Sequence, residues 1–332
     1  MEKNKKYRLT TESVLLCFGK KLYRIEALKD FGDIRKGEKG GFVESEDNLS
    51  QEGNCWIADD AMVYDDAKVS ENALVYENAR VYGSAHLYGN ACVTDRAVVF
   101  ETADIYGYGY VCDNAQVYGN ANVFEFATIG EYAKVFGTAY ALGNARIRGN
   151  ACVSGDARVT GDAIVYGDAN VCDDSRVFGN AQVYGNAYIC GNSKVYDNAC
   201  VSDNAWIDSD AQVYGNSKVC GDVTVFNAAN VNGNAYVDGN TIVGGNAVIK
   251  CNQDYILFKN WWSRGEYFTW TRSNNMWRAG DFYGTGEELI KKAYQESNEN
   301  GREYERIVKY VEEILKEEEN GEQEVQVNRR ND

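Results

Sequence analysis

The chain has 332 residues, with no proline, 33 glycines, 24 tyrosines and a formal charge of −16. Direct nucleic-acid binders usually carry a basic surface, so this composition argues against that class. No apolar run approaches the ~20 residues of a membrane span, and no apolar segment follows the basic N-terminus. We therefore expect a cytoplasmic protein without a secretion signal.

Residues 1–54 precede the regular part of the chain. Short stretches of alternating polar and apolar residues, such as KYRLT and KKLYRIEALKD, are separated by glycine-containing turns. This pattern is typical of short β-strands. We predict a small β cap over 1–54.

Residues 55–250 repeat a six-residue unit. Its first position, counted from Cys55 to Ala247, recurs 33 times without insertion or deletion, and alanine occupies all but seven of these positions. Val, Ile or Leu stands two places later in every unit except one, which has Ala141. The small and aliphatic residues thus share one side of a short strand, and the Gly-Asn or Asp-Asn pair that usually follows favours a corner.

This unit resembles the hexapeptide [LIV]-x-x-x-[STAV]-x of left-handed parallel β-helices, in which three units make one triangular coil. The resemblance implies an all-β solenoid of about eleven coils over 55–250. Proline would remove donors from the strand ladders, which explains its absence. The open ends of such a rod require caps.

The segment that leads into the repeat, GGFVESEDNLSQEGNCW from Gly40 to Trp56, supports the same resemblance. It is similar to the leader of hexapeptide-repeat proteins of bacteria and their phages, some of which are labelled acyltransferases.

Residues 251–319 change character and are rich in aromatic residues. DYILFKNWWSRGEYFTWTRSNNMWRAGDFYG predicts three strands. Thr285, with Glu288 three residues later, predicts a capped helix over 287–297. A second helix is predicted over 302–319, because apolar residues recur there at helical spacing. We expect an α+β domain that closes the C-terminal end of the rod, followed by a disordered tail over 320–332.

Ten cysteines are scattered along the chain, and no two are closer than ten residues. The CxxC pairs of zinc sites are missing, and the chain contains one histidine. We predict free thiols at half-apolar positions and expect neither a metal nor a cofactor.

The resemblance makes acyl transfer an obvious alternative. Acyltransferases of this family use a histidine base, often project a loop and bind acyl-CoA between neighbouring prisms. This chain has only His86, and no loop interrupts the repeat. Since residues eighteen apart stack on adjacent coils, His86 and Asp104 are predicted to be neighbours, and such a dyad can act as a general base. We regard a surface histidine as the better interpretation.

The units between residues 96 and 141 depart most from the repeat, because aromatic residues replace asparagine at several corners. Such departures cost solubility, which favours a binding role. We predict a partner-binding surface formed by Tyr106, Tyr108, Tyr110, Phe124, Phe126 and Tyr132.

Charged residues also form columns along the rod. One edge stacks the acidic residues Asp59, Glu77, Asp95, Asp113 and Glu131. Such an edge can imitate a nucleic-acid backbone, attract a basic protein, or simply keep exposed turns soluble. A basic column of Arg158, Arg176 and Lys194 is a candidate site for a phosphate or nucleotide.

Together these patterns favour a non-catalytic binding or scaffold protein with a protein partner, self-association being a further option. The resemblance to phage-carried relatives makes an inhibitor of a host defence protein the sharpest version. The alternatives are an acyltransferase-like enzyme and an acidic DNA mimic.

Overall fold

The computed structural model describes residues 5–331, and its central part is a three-sided parallel β-solenoid. Each six-residue unit contributes one two-residue strand, and strands eighteen residues apart pair in register, as Val98–Val99 does with Arg80–Val81. Each of the three faces contains eleven such strands. The predicted solenoid of about eleven coils is confirmed.

The 33 solenoid strands are numbered β4 to β36 in chain order and alternate among the three faces. The first face contains Met62–Val63, Arg80–Val81, Val98–Val99, Gln116–Val117, Lys134–Val135, Cys152–Val153, Asn170–Val171, Tyr188–Ile189, Trp206–Ile207, Thr224–Val225 and Ile242–Val243. The second contains Trp56–Ile57, Leu74–Val75, Cys92–Val93, Tyr110–Val111, Thr128–Ile129, Arg146–Ile147, Ile164–Val165, Gln182–Val183, Cys200–Val201, Lys218–Val219 and Tyr236–Val237. The third contains Lys68–Val69, His86–Leu87, Asp104–Ile105, Asn122–Val123, Tyr140–Ala141, Arg158–Val159, Arg176–Val177, Lys194–Val195, Gln212–Val213, Asn230–Val231 and Val248–Ile249.

The interior of the rod consists of the alanine and aliphatic positions of the repeat, which are almost completely buried. Alanine keeps the corners narrow, and the aliphatic side chains of successive coils stack along the axis. Each Å² of apolar surface that this arrangement removes from water contributes about 25 cal/mol of favourable free energy. This contribution explains why the two positions vary so little along the repeat.

The N-terminal cap is a three-stranded antiparallel sheet of β1 (Tyr7–Leu15), β2 (Lys21–Ala27) and β3 (Lys39–Val43). Strand β3 pairs in parallel with Met62–Val63 and so extends the first face to fourteen strands. A short 3-10 helix, Cys17–Gly19, connects β1 and β2, and a second, Glu46–Asn48, follows β3 and leads into the solenoid.

Apart from the bonds between two strand residues, the backbone hydrogen bonds between coils have a direction, because N–H groups of one coil donate to carbonyl groups of the next, as Lys68 does to Ala85. The first coil therefore presents free carbonyl groups, and the N-terminal cap supplies donors to them. Arg24 Nη1 donates to the carbonyl of Asp59 at 2.9 Å, and Asn48 Nδ2 donates to that of Ala67 at 3.0 Å.

The last coil presents free N–H groups instead, and the C-terminal domain supplies oxygen acceptors. The N–H of Ile242 donates to Thr269 Oγ1 at 3.1 Å, and that of Val248 donates to Ser273 Oγ at 2.7 Å. The two caps are thus chemically opposite, as the polarity of the ladder requires.

The C-terminal domain contains four antiparallel strands, β37 (Tyr255–Lys259), β38 (Tyr267–Thr271), β39 (Met276–Ala279) and β40 (Phe282–Gly284), after a 3-10 helix at Asn252–Asp254. The sequence predicted three strands. The fourth is only three residues long and follows a tight turn, so it carries little alternation of its own.

Two helices follow, α1 (Gly286–Glu296) and α2 (Asn298–Asn331). Thr285 caps α1 in the predicted capping box with Glu288. The helix α2 begins before the predicted position 302 and continues through 320–331, where the sequence predicted a disordered tail. This segment is rich in glutamate and glutamine, which favour helix over its one glycine. None of the helices in 5–331 has the length and apolarity needed to cross a membrane.

Candidate partner-binding face

The acidic edge lies along one corner of the rod, directly after the strands of the second face. Its residues adopt the left-handed conformation that glycine fills at other corners, for example Asp113 with φ 57°. The Asp113 carboxylate accepts a hydrogen bond from the backbone N–H of Glu131 at 2.8 Å, and Glu131 accepts one from Gly149 at 2.9 Å. The N–H groups of Glu131 and Gly149 do not take part in the strand ladder, so the corner acids add hydrogen bonds between successive coils.

The carboxylates of this edge also crowd one another. Loss of hydration and the neighbouring carboxylate of Asp95 raise the pKa of Glu77. An open cavity of about 300 Å³ lies over the column and is lined by Glu77, Asn78, Asp95, Arg96, Asp113 and Asn114. Asp95, Cys112 and Asp113 bring ligand atoms within 4.8 Å of one another, so they could hold a cation. The edge is therefore a region of concentrated negative charge that a positive group would relieve.

Exposed aromatic residues stand on both edges of the second face. Tyr108 and Phe126 stack one coil apart, with ring centroids 5.0 Å apart and planes inclined by 8°, yet they remain 56% and 59% exposed. Tyr132 is 62% exposed at the opposite corner, where it follows Glu131 of the acidic edge. Tyr110 lies on the strand between these corners.

The other two predicted aromatic residues lie elsewhere. Tyr106 stacks on Tyr88 at a centroid distance of 4.9 Å and Phe124 stacks on Tyr106 at 4.6 Å, beside the third face, and both are partly buried. They brace adjacent coils, as cross-strand aromatic pairs do. The predicted set of six therefore divides into four residues around the second face and two in a bracing ladder.

Small residues follow several strands of the second face, between its aromatic edges. Tyrosine follows the strand at Tyr76 and Tyr166, whereas small side chains occupy this position at Thr94, Cys112 and Gly130. A Cβ atom added at Gly130 would lie 3.0 Å from Asp113 Oδ2 and 3.2 Å from Cys112 Sγ. Side chains of the preceding coil therefore already cover this position, and Gly130 is buried.

The candidate dyad is on the third face. His86 Nδ1 lies 3.5 Å from Asp104 Oδ1, and both side chains are substantially exposed. Partial burial raises the pKa of Asp104, and the imidazole opposes this shift. The structure thus brings the two predicted residues together on an open strand face.

The basic column is also assembled as predicted. Arg158, Arg176 and Lys194 pair in register on three adjacent strands. The Arg158 guanidinium lies over the ring of Tyr140 at 5.3 Å. A cavity of about 320 Å³ beside Arg176 and Lys194 is also lined by Asp174 and Asp210. Because these acids offset the positive charge, anion binding at this column stays a prediction.

The ten thiols are free, and several sit diagonally against a large aromatic side chain of a neighbouring coil. Cys92 Sγ lies 3.5 Å from Tyr76 Oη, and Cys200 Sγ lies 3.5 Å from Tyr184 Oη. Burial raises the pKa of the Cys92 thiol. These cysteines fill space beside tyrosines, in agreement with the predicted filler role.

Comparison with known proteins supports the repeat. Residues 151–167 match a family model described as the YdcK β-solenoid repeat. An uncharacterized acetyltransferase, YdcK of Escherichia coli (strain K12), is 42% identical over 62 residues, which are 17% of this chain and 19% of that protein. The match thus spans less than a fifth of the relative. It agrees with the resemblance to hexapeptide-repeat proteins, whereas the similarity of the Gly40–Trp56 segment stays a prediction.

Proposed function

We propose that this chain is a non-catalytic binding protein and that its second face recognises a basic segment of a partner protein. One observation carries the proposal. Tyr108 and Phe126 on one edge, and Tyr132 beside the acidic column on the other, expose aromatic rings around the same strip of the rod.

The chemistry of this strip suits a lysine- or arginine-rich segment. Aromatic faces attract ammonium and guanidinium groups, and carboxylates form charge-assisted hydrogen bonds with them. The crowded pair Glu77 and Asp95 would gain from a cation between them.

The repeat itself supports a functional reason for these residues. Asparagine occupies most equivalent corners, so aromatic residues there are not needed to build the coil. Exposed aromatic side chains at these corners promote association and therefore favour an interaction site.

Acyl transfer is a second candidate, and the name of the E. coli relative, an uncharacterized acetyltransferase, favours it. The His86 and Asp104 pair supplies a base, but it lies on an open strand face. Binding of acetyl-CoA that His86→Ala abolishes would establish this alternative.

The two remaining alternatives, a DNA mimic and a phage-type inhibitor, are supported by fewer observations. The acids of the corner edge accept hydrogen bonds from the next coil, which gives them a structural role besides any mimicry of a nucleic-acid backbone. The version as a phage-type inhibitor of a host defence protein depends on the similarity of the N-terminal segment alone.

The proposal is tested by comparing the wild-type chain with the variant Tyr108→Asn/Phe126→Asn/Tyr132→Asn. Both are immobilised for capture from bacterial lysate, and both are titrated with a lysine- and arginine-rich peptide in a calorimeter. Asparagine is the usual corner residue, so the variant should fold normally. We expect it to lose the captured partner and to bind the peptide more weakly.

Trp261→Ala is the matched control, because Trp261 is exposed in the C-terminal domain, away from the second face. It should capture the same partner as the wild type. If the triple variant captures that partner with unchanged affinity, the second face is not the binding surface.

A further inference from the structure

Cys172 and Cys190 are separated by eighteen residues, the length of one coil, and no other two of the ten cysteines share this spacing. They follow the strands Asn170–Val171 and Tyr188–Ile189, which pair in register. The N–H of Cys172 donates to the carbonyl of Ile189 at 2.9 Å, and Cys190 donates to Ile207 at the same distance. The two cysteines thus hold the same position on neighbouring coils.

Side chains at this position project in parallel. In the same column, Tyr64 and Tyr82 stack with ring centroids 5.0 Å apart and planes inclined by 4°. The two thiols also have equivalent neighbours on the next coil. Cys172 Sγ lies 3.3 Å from Tyr188 Oη, and Trp206 Nε1 donates to Cys190 Sγ at 3.2 Å. The sulfur atoms therefore stand side by side, separated by roughly the ~4.8 Å spacing of adjacent strands.

We propose that Cys172 and Cys190 form a two-coordinate site for a soft metal ion with a filled d shell, of which copper(I) is the representative. Metal–thiolate bonds measure about 2.3 Å for zinc, so a linear sulfur–metal–sulfur unit of that bond length spans about 4.6 Å, close to the strand spacing. If the two thiolates are parallel, the metal lies on the line that joins the sulfur atoms, and this line is nearly perpendicular to both Cβ–Sγ bonds. Thiolate ligands select copper(I) over harder ions.

A disulfide fits the same pair less well. It needs the sulfurs about 2.05 Å apart and the Cβ atoms within about 4.5 Å, so both side chains would have to leave their parallel arrangement. A bridging ion needs no such change. Asp208 follows Cys190 in the column, but its carboxylate is a hard ligand and suits a soft ion poorly.

The surroundings of the pair also suit a bound ion. Cys190 is buried and Cys172 is half-buried, while Tyr188 and Trp206 cover them from the solvent side and remain partly exposed. The metal binds the thiolate forms, so each thiol gives up its proton on binding.

The experiment is an anaerobic titration of the full chain with copper(I) held by the chromophoric competitor bicinchoninate. We expect the wild type to withdraw one tightly bound equivalent and Cys172→Ser and Cys190→Ser each to lose it. X-ray absorption of the wild-type complex should show two sulfur ligands. Serine occupies the same position at Ser154, so these variants are compatible with the coil, and circular dichroism verifies their fold.

Cys220→Ser is the matched control. Cys220 holds the same place in its unit and lies 3.4 Å from Tyr236 Oη, but Ser202 and Asp238 occupy the adjacent coils. This variant should keep the tight equivalent. The proposal is overturned if Cys172→Ser binds copper(I) as tightly as the wild type, or if Cys220→Ser loses as much.

Discussion

The buried ammonium group of Lys6 donates a hydrogen bond to the carbonyl oxygen of Cys55 at 2.9 Å, at the point where the first coil begins. The carbonyls of Glu52 and Gly53 accept from the same group at 3.2 and 3.4 Å, and Cys55 Sγ lies 3.1 Å away. Burial lowers the pKa of Lys6 and raises that of the Cys55 thiol. Lys6 thus serves as a donor for the carbonyl end of the ladder.

Removing this donor should destabilise the protein. In Lys6→Met the apolar stem is kept, but the carbonyl groups lose their partner, so we expect the free energy of unfolding to fall by about 1–3 kcal/mol. Urea denaturation followed by circular dichroism measures the change. Lys5→Met is the control, because Lys5 makes a partly exposed ion pair with Glu46, which is worth at most about 1 kcal/mol. Equal effects of the two substitutions would contradict the capping role of Lys6.

The acceptors that the C-terminal domain supplies to the last coil can be tested at Thr269, which is buried and accepts a hydrogen bond from the N–H of Ile242. Thr269→Val keeps the shape of the side chain but leaves this N–H without its oxygen partner. We expect a loss of about 1–3 kcal/mol in the free energy of unfolding. Thr224→Val, on a strand of the first face, should change stability by less than about 0.5 kcal/mol. If Thr269→Val left the free energy of unfolding unchanged, the last coil would need no such acceptor.

Two substitutions of the corner acid Glu131 should separate the stabilising effect of its hydrogen bond from the cost of its left-handed backbone. Glu131 has φ 57° and accepts a hydrogen bond from Gly149, so Glu131→Ala loses the bond and keeps the strained backbone. We expect it to cost about 1 kcal/mol. Glu131→Gly loses the same bond but relieves the left-handed strain of about 1 kcal/mol, so its stability should be nearly unchanged. Thermal unfolding compares the two variants, and a more damaging Glu131→Gly would refute this account.

Alkaline pH should weaken the rod. Burial and the neighbouring thiols raise the pKa of Tyr110 to about 12, and hydrogen bonding to Cys172 contributes most to the same shift at Tyr188. A raised folded-state pKa means that stability is fully present below the unfolded value near 10 and declines as the pH rises from about 10 to 12. Tyrosinate absorbance and circular dichroism, recorded together, should show late ionisation accompanied by loss of β structure. Ionisation of all tyrosines near pH 10 in an intact fold would contradict this prediction.

Much of the architecture could be predicted because a short repeated sequence pattern specifies every coil of a solenoid. The six-residue period determines which residues face inward, and its uninterrupted length determines the number of coils. The cap of α1 was equally local, since Thr285 and Glu288 lie within one turn. The short strand β40 was missed because three residues carry little alternation of their own, and the full extent of α2 was missed although the glutamate and glutamine residues of 320–331 favour helix.

The sequence by itself determined the solenoid, its three faces and the vertical pairs, including His86 with Asp104, because stacking at an eighteen-residue interval follows from the period. Only the tertiary structure decided which neighbouring columns form one surface. Tyr108 and Tyr132 flank the same face, whereas Tyr106 braces another, since each corner turns the chain to a new side of the prism. The tertiary structure also decided the polarity of the ladder. Lys6 and Thr269 acquire opposite capping roles because one end of the rod presents carbonyl groups and the other presents N–H groups.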